Sequence, residues 1–143
     1  MTRPTWGKYF MNMAIAASTR STCPRASVGA VLVKWDKYYV TSGFNGAKSG
    51  DPHCVDVGCD LVDGHCKRAV HAEANAIDIA KNILGIKRLS TMSIYCTHAP
   101  CVACAQLIFD NGINKVFYLN AYMPTDGIDY LDELSIQVER IIL

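Results

Sequence analysis

The feature that most constrains how this chain can fold is a histidine and a glutamate two residues apart, followed much later by two cysteines three residues apart. The first pair lies in His71-Ala72-Glu73 and the second in Pro100-Cys101-Val102-Ala103-Cys104. One imidazole and two thiolates suit a tetrahedral zinc ion whose fourth position stays open, as in catalytic rather than structural sites. The fold must therefore bring two distant segments together.

His71 and Glu73 are expected at the start of a helix. Residues two apart on a helix point to different sides, so these two side chains can share one site only beyond the helix end. The residues over 72–84 have helical periodicity, and Gly85 is a suitable stop. The apolar residues at helical spacing are Ala76, Ile77, Ala80 and Ile83.

Cys101 and Cys104 are expected at the start of a second helix. Pro100 is suited to open this helix, which is predicted to run from residue 101 towards residue 111, with Gly112 just past its end. Cysteines at i and i+3 share one face, and the dipole at a helix N-terminus favours the thiolate that metal ligation requires. Two helix N-termini are thus predicted to converge on one cation.

Two other interpretations of the cysteine pair are open. A C-x-x-C motif in a reducing cytosol can be a redox pair. A structural zinc knuckle would need a fourth ligand, and Cys96 and His98 are available. The knuckle leaves Glu73 without a role, and the redox pair does not explain His71 and Glu73 upstream. The open catalytic site is therefore the favoured interpretation.

Length and charge limit the remaining function classes. We predict a single domain over residues 1–143. The sequence has no apolar run long enough for a membrane span and no signal-peptide pattern, so we expect a cytoplasmic protein without a membrane partner. A net charge of +1 without a long basic run gives no support for a nucleic-acid partner. Seven cysteines without a secretory signal indicate metal binding rather than disulfides.

Strand patterns and helix patterns alternate along the chain. An amphipathic helix is predicted over 5–18, with its aromatic residues in the core. A hairpin and three further strands are predicted over 28–35, 38–42, 92–96, 115–119 and 136–142. Helices are predicted to begin near His71, Pro100 and Asp129. This alternation predicts an α/β sandwich around a mixed sheet, with the site at helix N-termini over strand ends.

The spacing of the four candidate residues matches a known chemical signature. His-x-Glu followed by Pro-Cys-x-x-Cys is the pattern of zinc nucleobase deaminases. Hydrolytic deamination of cytosine needs a hydroxide at C4, a proton at N3 and a proton for the leaving ammonia. Zinc acidifies a bound water, and one carboxylate can shuttle both protons. We interpret Glu73 as that carboxylate and His71, Cys101 and Cys104 as the zinc ligands.

Five runs spread over nearly the whole chain narrow this interpretation. They are Arg20-Ser21-Thr22-Cys23-Pro24-Arg25, Val28-Gly29-Ala30-Val31, Gly43-Phe44-Asn45-Gly46, Gly64-His65-Cys66-Lys67-Arg68 and His71-Ala72-Glu73. Together they resemble the deoxycytidylate (dCMP) deaminase family, including its competence-protein relatives. The resemblance implies a three-layer α/β/α fold with a five-stranded mixed sheet, conversion of dCMP to dUMP, and a homo-hexamer. It also implies activation by dCTP with Mg²⁺ and inhibition by dTTP.

The same resemblance implies roles for further residues. Ser21 and Arg25 would bind the 5′-phosphate, and Asn45 would contact the sugar, although Asn45 can also be read as a turn residue and Arg25 as a surface charge. The allosteric motif would be Gly43-Phe44-Asn45-Gly46, with Phe44 in place of the family's tyrosine. The base would be contacted by the Ala72 amide, the Thr97 carbonyl and the packed ring of Tyr122.

Some members of the family carry a second, structural zinc. Cys23 and Cys54 fall where the resemblance places two of its ligands, while Cys59, His65 and Cys66 compete for the other two. Such an ion would order the glycine-rich stretch 43–68, which is predicted to be irregular and, at this length, functional.

Two functions compete with dCMP deamination. One is deamination of tRNA, of another nucleic acid or of another nucleoside or heterocycle. The other is a DNA-uptake or interaction protein that has kept a deaminase fold. The intact set of His71, Glu73, Cys101 and Cys104 argues against lost catalysis.

Overall fold

The computed structural model describes residues 2–47, 50–59, 61–62, 65–66, 69–121 and 125–143. Its helices are α1 (Trp6–Ser18), α2 (Cys54–Val57), α3 (Ala72–Asp78), which a π-helical turn continues over Ile79–Ile83, α4 (Val102–Asp110) and α5 (Asp126–Glu133). Its strands are β1 (Gly29–Lys34), β2 (Tyr38–Phe44), β3 (Gly46–Ala47), β4 (Leu61–Val62), β5 (His65–Cys66), β6 (Ala69–Val70), β7 (Met92–His98), β8 (Lys115–Asn120) and β9 (Gln137–Arg140).

The central sheet has five strands in the order β2-β1-β7-β8-β9. Strand β1 pairs antiparallel with β2 and with β7, whereas β7, β8 and β9 run parallel. The parallel strands are connected by α4 and α5, as parallel pairing requires. The predicted five-stranded mixed sheet is therefore confirmed. The parallel part also explains why α4 and α5 begin at the same edge of the sheet.

Helices cover both faces of the sheet. On one face, Phe10 and Ala14 of α1 pack with Val31 and Tyr95. On the other face, buried residues of α3, α4 and α5 pack against the alternate sheet positions Ala30, Leu32, Ile94 and Val116. Successive residues of β1 thus serve opposite cores, as the period of a strand dictates. The α/β/α layering agrees with the prediction.

The first helix confirms the predicted element but not its predicted burial. Thr5 is the N-cap of α1, and its hydroxyl accepts a hydrogen bond from the Lys8 amide. Phe10 is buried, but Trp6 is 48% exposed and Tyr9 is 45% exposed, so the prediction that all the aromatics are core was wrong. The apolar face of α1 is wider than the sheet covers. Trp6 instead stacks on Phe10, with ring centroids 5.7 Å apart.

The predicted helix over 72–84 is present but changes geometry near its end. Ala76 and Ala80 are buried, whereas Ile83 is 71% exposed. The π-helical turn places an extra residue in the helix, which rotates the following positions by about 100° away from the α-helical phase. Gly85 then has φ 71°, as a helix stop of this kind requires.

Other boundaries differ from the predictions in detail. Trp35 and Asp36 lie in the β1–β2 turn with φ 53° and 62°, so Trp35 is not part of a strand. Helix α5 begins at Asp126, three residues before the predicted start at Asp129, and Thr125 precedes it as the N-cap residue. No helix within the described ranges is long and apolar enough to cross a membrane.

The prediction that the stretch 43–68 is irregular was wrong in part, because it contains short strands and a short helix. Gly43 and Phe44 complete β2, and Gly46–Ala47 pairs with Ala69–Val70. The short helix α2 follows at Cys54–Val57. A strand of two residues is too short to show a periodic pattern in the sequence. Its pairing with a segment more than 20 residues away could therefore not be predicted.

Candidate active site

Three candidate ligands converge where α3 and α4 begin. His71 is the N-cap residue of α3 and Cys101 is the N-cap residue of α4; both have extended backbone, with φ −70° and −73°. Cys104 follows in the first turn of α4. The nitrogen and sulfur ligand atoms of these three residues all lie within 4.8 Å of one another. The predicted convergence of two helix N-termini is therefore observed.

The spacing of the ligand atoms fits a tetrahedral zinc ion. His71 Nδ1 lies 3.2 Å from Cys104 Sγ and 3.6 Å from Cys101 Sγ. Zn–N and Zn–S bonds of about 2.05 and 2.3 Å at a tetrahedral angle place nitrogen and sulfur about 3.6 Å apart. Because Nδ1 faces both sulfurs, it is the nitrogen available for coordination. His71 is exposed and Cys104 is buried, so the cluster is reached from the His71 side.

The hydrogen bonds among the three candidate ligands shift their pKa values. Hydrogen bonds from the Cys104 thiol and from His71 lower the pKa of the Cys101 thiol to about 3. The same hydrogen bond to Cys101 raises the pKa of His71, although burial opposes it. A second hydrogen bond, between the Cys104 and Cys101 thiols, raises the pKa of Cys104 together with burial. These shifts favour the thiolate form of Cys101, which is the form in which cysteine binds a metal.

Glu73 is the carboxylate of the site. It lies in the first turn of α3 and is only 3% exposed. Burial raises its pKa, while a hydrogen bond with Cys104 and the nearby His71 act in the opposite direction. The pKa of a carboxyl with this environment is displaced towards the range in which it can accept and return protons. Glu73 therefore lies beside the ligand cluster without belonging to it.

The motif Gly43-Phe44-Asn45-Gly46 is attached directly to the helix that carries Glu73. A Cβ at Gly43 would lie 2.5 Å from the Ala72 carbonyl oxygen and 2.6 Å from the Ala76 amide nitrogen. Only glycine permits this approach of β2 to α3. In addition, the side-chain amide of Asn75 in α3 donates to the Phe44 carbonyl at 2.7 Å. The end of β2 and the start of α3 are therefore one packed unit.

Asn45 and Ser21 connect the motif to the loop before β1. Asn45 is 7% exposed; its Oδ1 accepts from the Val28 amide and its Nδ2 donates to the Ala26 carbonyl, both at 2.8 Å. The Ser21 hydroxyl donates to the Asn45 carbonyl at 3.1 Å. The Oδ1 atom can accept one further hydrogen bond, and the Nδ2 atom can donate one more. From its position between β2 and β3, Asn45 thus fixes the loop before β1.

The remaining predicted substrate residues have different environments. Arg25 is exposed on the same loop. Ala72 and Thr97 are buried, and the Thr97 hydroxyl accepts from the Gly29 amide at 3.0 Å. Tyr122 lies outside the described residues. Their roles towards a substrate stay predictions.

The proposed second metal site is only partly described. Its candidates His65 and Cys66 lie outside the described side chains; Cys23 and Cys59 are half-buried and Cys54 is buried. The loop carrying Cys23 reaches the helix of Cys54, because the Thr22 carbonyl accepts from the Val55 amide at 3.2 Å. Among the side chains that the structure describes, the group able to hold a metal is His71, Cys101 and Cys104. Cys96 and His98 are not in that group, which disfavours the zinc knuckle.

A protein-family model matches most of this chain. The model of the cytidine and deoxycytidylate deaminase zinc-binding region matches residues 4–120. This chain belongs to that family. It is 43% identical to ComE operon protein 2 of Bacillus subtilis, over 100% of this chain and 75% of the relative. It is 39% identical to the deoxycytidylate deaminase of Mycobacterium phage D29, over 82% of this chain and 97% of the relative.

Solved structures of the deaminase family agree with the fold. The dCMP deaminase of cyanophage S-TIM5, crystallised in complex with dCMP and dUMP, has a TM-score of 0.82 and 35% identity to this chain. The match covers 99% of this chain and 100% of the phage chain. The cytidine deaminase-like α/β fold predicted from the motifs is confirmed.

Two contacts of histidine and cysteine side chains were not predicted from the sequence. Cys96 is fully buried, as expected for a core residue, and burial and contact with Glu73 raise the pKa of its thiol. His53 Nδ1 lies 3.1 Å from the hydroxyl of Thr22, on the loop that carries Cys23. The one available signal for His53 was its position next to Cys54.

Proposed function

We propose that this chain is a zinc-dependent hydrolase that converts dCMP to dUMP and ammonia. The observation that carries the proposal is the cluster of ligand atoms of His71, Cys101 and Cys104, all within 4.8 Å of one another, beside the buried Glu73. Support for dCMP as the substrate comes from the relatives named deoxycytidylate deaminase and from the phage structure with dCMP and dUMP. The zinc-binding family supports the metal.

In the proposed mechanism His71 Nδ1 and the Cys101 and Cys104 thiolates would hold a zinc ion. When bound, zinc supplies Lewis acidity that makes a water molecule a nucleophile near neutral pH. Glu73 accepts a proton from that water as the oxygen adds to C4 of the base, and gives it to N3. Glu73 then takes the remaining hydroxyl proton and delivers it to the amino group, so that the C4–N4 bond breaks and ammonia leaves with C4 as a carbonyl.

Substrate recognition is proposed on both sides of this centre. Ser21 and Arg25 would bind the 5′-phosphate and Asn45 the sugar, because Ser21 and Arg25 lie on the loop before β1 and Asn45 is hydrogen-bonded to that loop. The guanidinium plane of arginine suits phosphate oxygens. The Ala72 amide, the Thr97 carbonyl and Tyr122 would contact the base.

The substrate class is tested by an assay panel with zinc-loaded protein. dCMP, deoxycytidine, cytidine and an adenosine-containing RNA are compared at matched concentrations, with ammonia release as the readout. We expect dCMP to have the highest kcat/KM. A higher kcat/KM for the RNA or for an unphosphorylated nucleoside would contradict dCMP as the substrate.

We further propose that dCTP with Mg²⁺ activates the enzyme and that dTTP inhibits it, through Gly43-Phe44-Asn45-Gly46. Support comes from the contact of Gly43 and Phe44 with α3, the helix that carries Glu73. An effector that moves this motif would move the catalytic carboxylate. dCMP saturation curves with each effector should differ from the curve without effector, and Phe44→Ala should weaken that response more than basal turnover. Superimposable wild-type curves would make the motif a structural element only.

A structural zinc, a homo-hexameric assembly and a cytoplasmic location complete the proposal. Metal analysis should find close to two zinc ions per chain, and Cys54→Ser should remove one of them with the catalytic ion retained. One zinc per chain in both proteins would contradict the second site.

Sedimentation analysis should give six copies, and a smaller assembly of fully active protein would contradict the hexamer.

A further inference from the structure

Helix α5 touches the backbone that carries one of the ligands. Gly127, in the first turn of α5, is buried. A Cβ at this position would lie 1.9 Å from the Pro100 carbonyl oxygen and 2.8 Å from the carbonyl carbon of Cys101. These separations are far below van der Waals contact, so a larger residue would require α5 or the Pro100–Cys101 backbone to move.

The rest of α5 is held in place by its packing against α4. A side chain at position 127 would therefore move the Pro100–Cys101 backbone rather than α5. Leu131 is fully buried and belongs to the same core cluster as Ala105 and Ile108 of α4. The Tyr130 hydroxyl donates a hydrogen bond to Gln106 Oε1 of α4. Packed cores resist displacement, whereas Cys101 is an extended, half-exposed N-cap residue. A side chain at position 127 would therefore displace Cys101 before it displaced the core of α5.

We propose that Gly127 is a positioning residue that sets the place of the Cys101 thiolate through direct contact between backbones. The absence of a side chain at position 127 lets α5 close against the α4 N-cap, and this contact holds Cys101 Sγ at its distance from His71 Nδ1. The inference rests on the proposed role of Cys101 as a zinc ligand. It extends the metal site to a helix that contributes none of the three ligands.

The test compares Gly127→Ala with Gly29→Ala in the zinc-loaded protein. Gly29 is a matched control, because a Cβ there would lie 1.9 Å from the Ala14 carbonyl oxygen of α1, on the other face of the sheet. The readouts are the rate of zinc loss to excess chelator, the thiolate-to-metal absorption of the cobalt-substituted protein, and Tm. Both variants should lower Tm.

Only Gly127→Ala should alter the metal site. Displacing groups that orient a ligand typically lowers metal affinity 10- to 100-fold, so we expect zinc loss about 10-fold faster, with a changed cobalt spectrum. Gly29→Ala should keep the wild-type spectrum and release zinc at the wild-type rate. Wild-type zinc release by Gly127→Ala, or equal acceleration in both variants, would overturn the proposal.

A measurement on wild-type protein decides the matter if Gly127→Ala does not fold. Coupling between two sites is reciprocal, so removing zinc should loosen α5 if α5 positions Cys101. Hydrogen exchange should become faster at the hydrogen-bonded amides of residues 129–132 when zinc is removed, as well as in α4. Unchanged exchange in α5 would overturn the proposal. None of these readouts uses dCMP, so a failure of the proposed substrate would be seen separately in the assay panel.

Discussion

At the scale of single residues, Asn45 shows how one side chain can serve the fold and a site at once. Its two amide atoms hold the backbone of Ala26 and Val28, and its carbonyl accepts from Ser21. The proposed phosphate and sugar contacts therefore depend on a loop that Asn45 itself fixes. A loss of activity on mutation of Asn45 needs a stability measurement before it can be assigned to substrate binding.

Asn45→Ala should lower the free energy of unfolding by about 1 to 3 kcal/mol, because it leaves the half-buried Val28 amide without its acceptor. Urea unfolding of the zinc-loaded protein measures this. Asn82→Ala is the control, since Asn82 is exposed and its side-chain amide donates to Asp78, one turn earlier. Equal effects of the two substitutions would show that the Asn45 hydrogen bonds contribute nothing particular to stability.

A second residue, Tyr95, predicts a dependence of stability on pH. Burial raises the pKa of its hydroxyl to about 12, and its ring stacks on Phe117 at 4.5 Å. A raised folded-state pKa means stability that is complete below the unfolded value of 10.0 and is lost as the pH rises towards about 12. By pH 11 the loss from this residue should be about 1.4 kcal/mol.

Tyr95→Phe should remove this loss. Unfolding free energies of wild type and variant measured from pH 8 to pH 11 should converge, or cross in favour of the variant, at the alkaline end. The other tyrosines and lysines cancel in the difference between the two proteins. A difference that stays constant over this range would show that the Tyr95 pKa is the same in the folded and unfolded states.

At the scale of elements, the structure separates what periodicity can predict from what it cannot. The caps and stops of α3 and α4 follow local rules, so His71, Cys101, Gly85 and Gly112 were correctly placed around the helices. The π-helical turn that exposes Ile83 depends on how α3 fits the sheet, which no local pattern records. The same holds for the width of the α1 face that the sheet covers.

Helix α1 allows a direct test of that coverage. Phe10→Ala removes a fully buried ring and should lower the free energy of unfolding by about 3 to 5 kcal/mol. Trp6→Ala removes a ring that is 48% exposed and should cost less than half as much, although tryptophan is the larger residue. Chemical denaturation of both variants measures the difference. A larger cost for Trp6→Ala would mean that the Trp6 ring is covered in solution.

At the scale of the whole molecule, the sheet order produces the site. Parallel β7 and β8 with the crossover helix α4 place Cys101 at the same edge of the sheet as the start of α3. The sequence predicted this convergence because metal chemistry required it, not because strand pairing could be read from the residues. The contacts of Gly43 with α3 and of Gly127 with Cys101 could not be predicted, since they depend on the close approach of distant backbones.

The central claim, that Glu73 moves protons beside a zinc ion held by His71, Cys101 and Cys104, is tested most directly by Glu73→Gln. The amide has nearly the same shape as the carboxylate but cannot shuttle protons. We predict a folded protein with wild-type zinc content whose turnover of dCMP is lower by about 10²- to 10⁴-fold, as for the loss of a general acid-base group. Turnover of dCMP at the wild-type rate by zinc-loaded Glu73→Gln would contradict the account.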